Sequence, residues 1–171
     1  MKTKTVISIF IVIIFILGIY VLGYSTKGGT ASSVQGVTAS NVSEGSLSST
    51  EEFYDFGTIS MKNGEVTKEF KITNSSKGDV VLSKVLTSCM CTSAYIVKSD
   101  GSAKGPFGMA GHGAAPSVDE VIKVGEDRIV RVVFDPNAHG PAGVGYIDRF
   151  ITLTDTSNNT LQFEVKAVVT P

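Results

Sequence analysis

From Glu51 to the C-terminal Pro171, apolar residues recur with period two in short runs broken by turn residues. No stretch after Tyr24 sustains a helical period. Successive side chains on an extended strand point to opposite faces, so a chain written this way folds by laying apolar strand faces against one another. The runs span residues 53–59, 66–73, 80–87, 92–97, 128–134, 146–154 and 160–169. Between them stand turn-forming clusters: Asn63-Gly64, Asn74 to Gly78, Asp135-Pro136 and Thr156 to Asn159. Asn-Gly between two alternating runs predicts a hairpin. Lys68 interrupts the apolar side of its strand, which places it near a sheet edge. The pattern predicts an all-β fold over residues 51–171: an immunoglobulin-like, antiparallel Greek-key sandwich of about seven strands. The chain has no Trp, and its two cysteines, Cys89 and Cys91, are too close in sequence to bridge two sheets. Burial alone must hold the sandwich together.

The first fifty residues are written differently. Residues 5–24 (TVISIFIVIIFILGIYVLGY) carry no charge. A helix of that length is roughly 30 Å long, the thickness of a bilayer core. Lys2 and Lys4 precede it and Lys27 follows, a bias that keeps the N-terminus in the cytoplasm and exports the rest. Residues 1–24 therefore read as an uncleaved signal-anchor, one transmembrane helix, because the apolar core of a secretory signal is shorter, about 7 to 15 residues. A cleaved signal is the competing reading and exports the domain equally. Residues 25–50 are mostly Ser, Thr, Gly, Ala and Val and read as a flexible tether with a reach of roughly 25 to 30 Å. A loose strand inside this stretch is the alternative. The expected location is the cell membrane, single-pass, with the C-terminal domain extracytoplasmic.

Charge excludes one class of partner. Three of the 15 basic residues flank the apolar segment, whereas all 16 acidic ones lie at or beyond Glu44, so the globular part is mildly acidic. It has no basic stripe for a phosphate backbone, and nucleic acid is not an expected partner. The sequence contains no Gly-rich phosphate loop, nucleophile elbow or HExxH motif. The acid pairs Asp119-Glu120 and Glu126-Asp127 read as solvated turn residues. A non-catalytic binding or structural module is therefore expected, with the membrane and a protein of the cell envelope as partners.

The cysteines admit three readings. They can be small buried hydrophobes, reduced and inert. They can hold a soft metal, because residues i and i+2 of an extended segment share a face and thiolates favour copper(I). Met109 and His112 in the glycine-rich run GPFGMAGHG, with Met90 and His139, could complete that site. Consecutive antiparallel strands put the Cys89 to Cys91 turn and the Asp135 to Gly145 loop at the same end, which brings His139 near the thiols. Met109 and His112 sit on a connection of residues 98–120 that starts from the opposite end and is long enough to fold back. Thirdly, the thiols can form a reversible Cys89-Cys91 disulfide, although residues 86–94 (LTSCMCTSA) contain no cation to activate one.

Five elements together resemble a known family. They are Tyr54 to Ile59 (YDFGTI), Phe70 to Asn74 (FKITN), Thr87 to Thr92 (TSCMCT), Val124-Gly125-Glu126 and Phe134-Asp135-Pro136. In this order they are similar to domain-of-unknown-function family 1573, exported bacterial sandwiches related to the ASPM/SPD-2/Hydin type of domain. The resemblance implies the fold and leaves the activity open. Two departures stand out: Met90 replaces the usual middle glycine of the Cys motif, and residues 98–120 are longer than the usual connection.

Overall fold

The computed structural model describes residues 46–112 and 117–171. The signal-anchor and most of the tether, residues 1–45, lie outside the described residues. No helix among those described is long and apolar enough to cross a membrane.

The fold is an all-β sandwich of two five-stranded sheets. In chain order the strands are β1 (Leu47–Ser49), β2 (Phe53–Ser60), β3 (Val66–Asn74), β4 (Val80–Thr87) and β5 (Thr92–Val97). They continue as β6 (Ala103–Phe107), β7 (Glu120–Ile122), β8 (Asp127–Phe134), β9 (Gly145–Asp155) and β10 (Thr160–Thr170). One sheet runs β1-β3-β8-β5-β6 and the other β2-β10-β9-β4-β7.

All seven expected strands form, together with β1, the strand of the alternative reading of the tether, and two that were not expected, β6 and β7. Leu47–Ser49, within the stretch read as tether, pairs with Ile72 to Asn74 because Leu47 finds a buried site against the core. β6 arises within residues 98–120, read as one long loop, and β7 begins at the last of them. Gly105 and Pro106 disguise β6. The glycine is needed there, since a Cβ on it would lie 2.8 Å from the Ala94 carbonyl and 2.9 Å from the Tyr95 ring.

Two expectations about pairing fail. Asn63-Gly64 does not close a hairpin: Met61–Asn63 forms a 3-10 turn, Gly64 follows at φ 75°, and the chain crosses from one sheet to the other. β2 instead pairs with β10 at the far end of the sequence, and the pairing is parallel, so the sandwich is not wholly antiparallel. The reason is tertiary. The half-buried Tyr54 and Phe56 of β2 pack on a core already closed by the other sheet.

That core is built from inward positions of both sheets, with Phe70 stacked on Phe163 at 4.5 Å between ring centroids. Leu82, Val85, Ile96, Val130, Ile151 and Leu153 close around them, all essentially inaccessible. Each such side chain contributes about 1.5 to 3 kcal/mol on burial. Lys68 lies on β3 beyond the short reach of β1, as its edge position required. It pairs with Glu51 at 2.6 Å and covers the Tyr54 ring at 4.3 Å.

A second, smaller cluster closes one end: Cys91, Phe134, Ile147, Ala167 and Val169. Three inter-sheet crossovers, β2 to β3, β4 to β5 and β8 to β9, run over that end.

Of the two acid pairs, Asp119 and Asp127 are exposed and Glu126 is partly exposed, as the solvated reading expects, but Glu120 departs from it. Glu120 is 3% exposed. It is held by Arg128 Nε and Lys104 Nζ, each at 2.9 Å, with Lys98 at 3.5 Å. Asp127 pairs with Lys71 at 2.7 Å and Glu126 with Arg128 at 3.2 Å. Once β7 lies at the edge, its alternation turns Glu120 inward beside Arg128, and a buried carboxylate persists only when paired.

Candidate functional site

β4 ends at Thr87 because the chain must leave its sheet, and the crossover to β5 is a tight turn over Cys89 to Thr92. The Thr92 amide donates to the Cys89 carbonyl at 3.2 Å. Two buried threonines brace it: the Thr87 hydroxyl lies 3.0 Å from both the Cys89 and the Thr92 carbonyl oxygens. Ser88 anchors the approach, donating from its amide to the Phe150 carbonyl and accepting the Phe150 amide at its Oγ, both at 2.9 Å. The Asp135 amide donates to the Cys91 carbonyl at 2.9 Å, tying the turn to the β8–β9 crossover. The cysteines therefore sit on a turn, as the strand count required, and their side chains converge without the extended geometry of the same-face argument.

Both cysteines are free thiols, Cys89 half-buried and Cys91 buried. The Cys91 thiol donates to Cys89 Sγ at 2.8 Å. His139 Nε2, from the β8–β9 crossover, is 3.1 Å from Cys89 Sγ. Arg149 Nε donates to Cys91 Sγ at 3.1 Å. The ligand atoms of Cys89, Cys91 and His139 all lie within 4.8 Å of one another.

These contacts set the thiol acidities apart. Burial opposes ionisation of Cys89, but hydrogen bonds from Cys91 and His139 and the Arg149 charge outweigh it, lowering the thiol to about 7. Burial pushes Cys91 up, and a thiolate beside it on Cys89 pushes it further. Burial works against the Arg149 charge too, yet the hydrogen bond to Cys91 and the nearby thiols hold it more firmly protonated than usual.

Of the residues singled out in the sequence, Cys89, Cys91 and His139 come together. His112 does not join that group. β6 returns the chain from the far end, and Met109 pairs with Thr87 in an isolated parallel bridge. There Met109, His112 and Met90 line a groove of about 300 Å³ over Phe107, and neither cysteine lines it.

Arg149 is the residue that sequence reasoning missed. It supplies the cation that residues 86–94 lack, from 58 positions away. Its signal was present in YIDRFITLT: Ile147, Ile151 and Leu153 mark the inward side of β9, and Arg149 falls on the same alternation. An arginine at an inward position requires an acceptor inside.

Fold and site together define an immunoglobulin-like sandwich with a thiol–imidazole cluster at one end. Residues 47–105 match the model of the family described as "Protein of unknown function (DUF1573)", which bears out the resemblance over that region. No curated protein matches the chain in sequence. Among solved structures, a protein of unknown function from Porphyromonas gingivalis W83 is similar at a TM-score of 0.53 and 17% identity. The match covers 72% of this chain and 46% of that one, so this chain spans less than half of its length. The ASH/PapD-like domain 7 of human CEP192 is similar at a TM-score of 0.46 and 14% identity, over 82% of this chain and 95% of that one. At these identities the likeness is one of fold.

Proposed function

We propose that this protein is an exported, membrane-tethered binding module without catalytic activity, whose ligand is a soft monovalent metal ion, copper(I). The observation that carries the reading is the convergence of Cys89 Sγ, Cys91 Sγ and His139 Nε2 within 4.8 Å of one another, backed by Arg149. Thiolate ligands select copper(I), and imidazole tolerates it. Three donors suit a trigonal copper(I) centre, whereas structural zinc demands four. Charge points the same way. Two thiolates and one guanidinium leave a single negative charge, which a monovalent cation neutralises and a divalent cation overshoots. In a half-buried site that difference matters. The apolar segment of residues 5–24 supports the tether, and the loops of the sandwich offer surfaces to a protein partner in the envelope.

The test is copper(I) loading of the reduced full-length chain in detergent, without oxygen, against the chelator bicinchoninate. One tightly held copper in the wild type, lost in the C89S/C91S variant, is the expected result. Copper contents that are equal and near zero in both would overturn the reading.

A second reading, thiol–disulfide exchange, is favoured by the unequal exposure of the two sulfurs, since Cys91 is only 3% exposed and Cys89 is accessible. Cys89 thiolate would attack the disulfide of an exported partner, forming a mixed disulfide and releasing one partner thiolate. Cys91 would then attack Cys89 Sγ and release the second, so the pair loses two electrons as the partner disulfide gains them. Thiol labelling of the isolated protein before and after mild reductant decides it. Labelling that reductant leaves unchanged, followed by no reduction of an added model disulfide, removes this reading.

A further inference from the structure

Among the described residues, the soft donors other than Met61, which packs on the Cys91 cluster, fall into two groups at the same end of the sandwich. The thiols and His139 form one. Met90, Met109 and His112 form the other, around the groove over Phe107. We propose that this groove is a second copper(I) site, free of thiols, that receives the ion before the Cys89/Cys91 pair takes it. The inference deepens the copper reading and rests on it for the identity of the ion.

Three observations support the site. The first is that its donors are fixed from two elements. The Thr87 amide donates to the Gly108 carbonyl at 3.1 Å, and the His112 amide donates to the Met109 carbonyl at 3.3 Å, so a pinned turn carries Met109 and His112 together. The second is the exposure of Met90, 53% on the tip of the cysteine turn. A methionine packed as a hydrophobic plug would be covered; this one stands at the rim of the groove. The third is connectivity. Met90 lies between the two cysteines in sequence, so a single turn contributes a thioether to the outer group and both thiols to the inner one.

The chemistry of the groups sets the direction. A thioether and an imidazole are neutral ligands, so they bind a soft monovalent cation without adding negative charge and hold it weakly. The thiols lose protons on binding and hold it strongly. An ion moving from groove to thiol pair exchanges neutral ligands for anionic ones and releases the thiol protons to solvent. Nothing is oxidised or reduced. A thioether site also keeps its capacity where thiols become paired, as they do outside the cytoplasm.

The experiment is an oxygen-free titration of the full-length chain in detergent with copper(I), read by competition with bicinchoninate. Three forms are compared: wild type, C89S/C91S and M109L/H112Q. Met109 is half-buried and His112 exposed, so the near-isosteric pair of substitutions leaves the core untouched, and a thermal melt confirms folding. The wild type is expected to take one tight and one weak equivalent. C89S/C91S keeps the weak one, and M109L/H112Q keeps the tight one. A weak equivalent of undiminished affinity in M109L/H112Q overturns the second site and leaves the thiol site standing. A tight equivalent that persists in C89S/C91S and vanishes in M109L/H112Q overturns the thiol site and keeps the groove. If wild type and M109L/H112Q each take one tight equivalent and no weak one, the groove has no role and the inference is lost.

Discussion

The two ends of the sandwich each draw an arginine inward, and they treat it differently. At the end where β7 begins, Arg128 meets Glu120, a carboxylate that Lys104 and Lys98 also contact. At the other end Arg149 meets the Cys91 sulfur, and among the described residues it forms no ion pair with a carboxylate. The carboxylate is ionised at any ordinary pH, so its end is closed and its charges are satisfied permanently. The thiols must lose protons before they can answer Arg149. The first arrangement is architecture. The second is chemistry held ready, because its counter-charge appears only when a thiol ionises or a metal displaces the proton.

The sharpest way to break this comparison is to remove the fixed charge. Glu120→Gln takes the buried partner from Arg128, which keeps only the partly exposed Glu126, leaves the lysines beside a neutral amide, and should cost about 3 kcal/mol, read by urea unfolding. A loss below about 1 kcal/mol would mean that this end is no more structural than the surface. The pH dependence has a definite sign. Burial opposes ionisation of Glu120, but the Lys104 and Arg128 hydrogen bonds and the lysine charges outweigh it and hold the carboxyl below its ordinary value. Its stabilisation is therefore complete above about pH 4.3, the ordinary value for Glu, and is lost as the pH falls through the lower folded value. The gap between wild type and variant should close in acid and nowhere else.

The corresponding cut at the thiol end should cost little stability and much reactivity. Arg149→Met leaves no carboxylate unpaired and should cost about 1 kcal/mol or less. Alkylation of metal-free wild-type Cys89 by iodoacetamide should be half-maximal near pH 7. C91A, which removes the strongest opposing influence to burial, should move that midpoint furthest towards the ordinary 9.0, with H139A next and R149M least. A wild-type midpoint already near 9.0 would show that the three neighbours do not act on the sulfur.

A pair belonging to neither end is the control. Glu69 and Arg131 face each other across β3 and β8 at 2.8 Å with both side chains about half exposed. Glu69→Ala should change stability by about 0.5 kcal/mol or less. A change as large as that of Glu120→Gln would erase the distinction between buried and exposed charge on which the comparison rests.

Much of this was legible along the chain. Alternation found β3, β4, β5, β8, β9 and β10 close to their observed bounds, because each strand buries one face and the pattern records it directly. Turn chemistry found the β9–β10 hairpin, where Asp155 Oδ1 accepts the Ser157 and Asn159 amides at 2.8 and 2.9 Å. The same chemistry misled at Asn63-Gly64, since a turn that suits a hairpin also suits a crossover, and local geometry does not choose between them. β6 was hidden by Gly105, whose role is to let one backbone approach another, a fact about the neighbour rather than about the glycine. His139 was placed beside the thiols by counting strand directions. Arg149 was overlooked although its position on the inward alternation of β9 announced it.

The sequence by itself determined which residues are extended, which faces are apolar, and that two thiols stand two apart beyond a strand end. Those are consequences of side-chain period and turn propensity, which act within a few residues. Tertiary structure alone decided that β2 closes its sheet against β10, that Glu120 is buried rather than solvated, and that a guanidinium and an imidazole meet the two sulfurs while Met109 and His112 face a groove of their own. Those depend on which strands become neighbours, and that is settled by the burial of all the apolar faces at once.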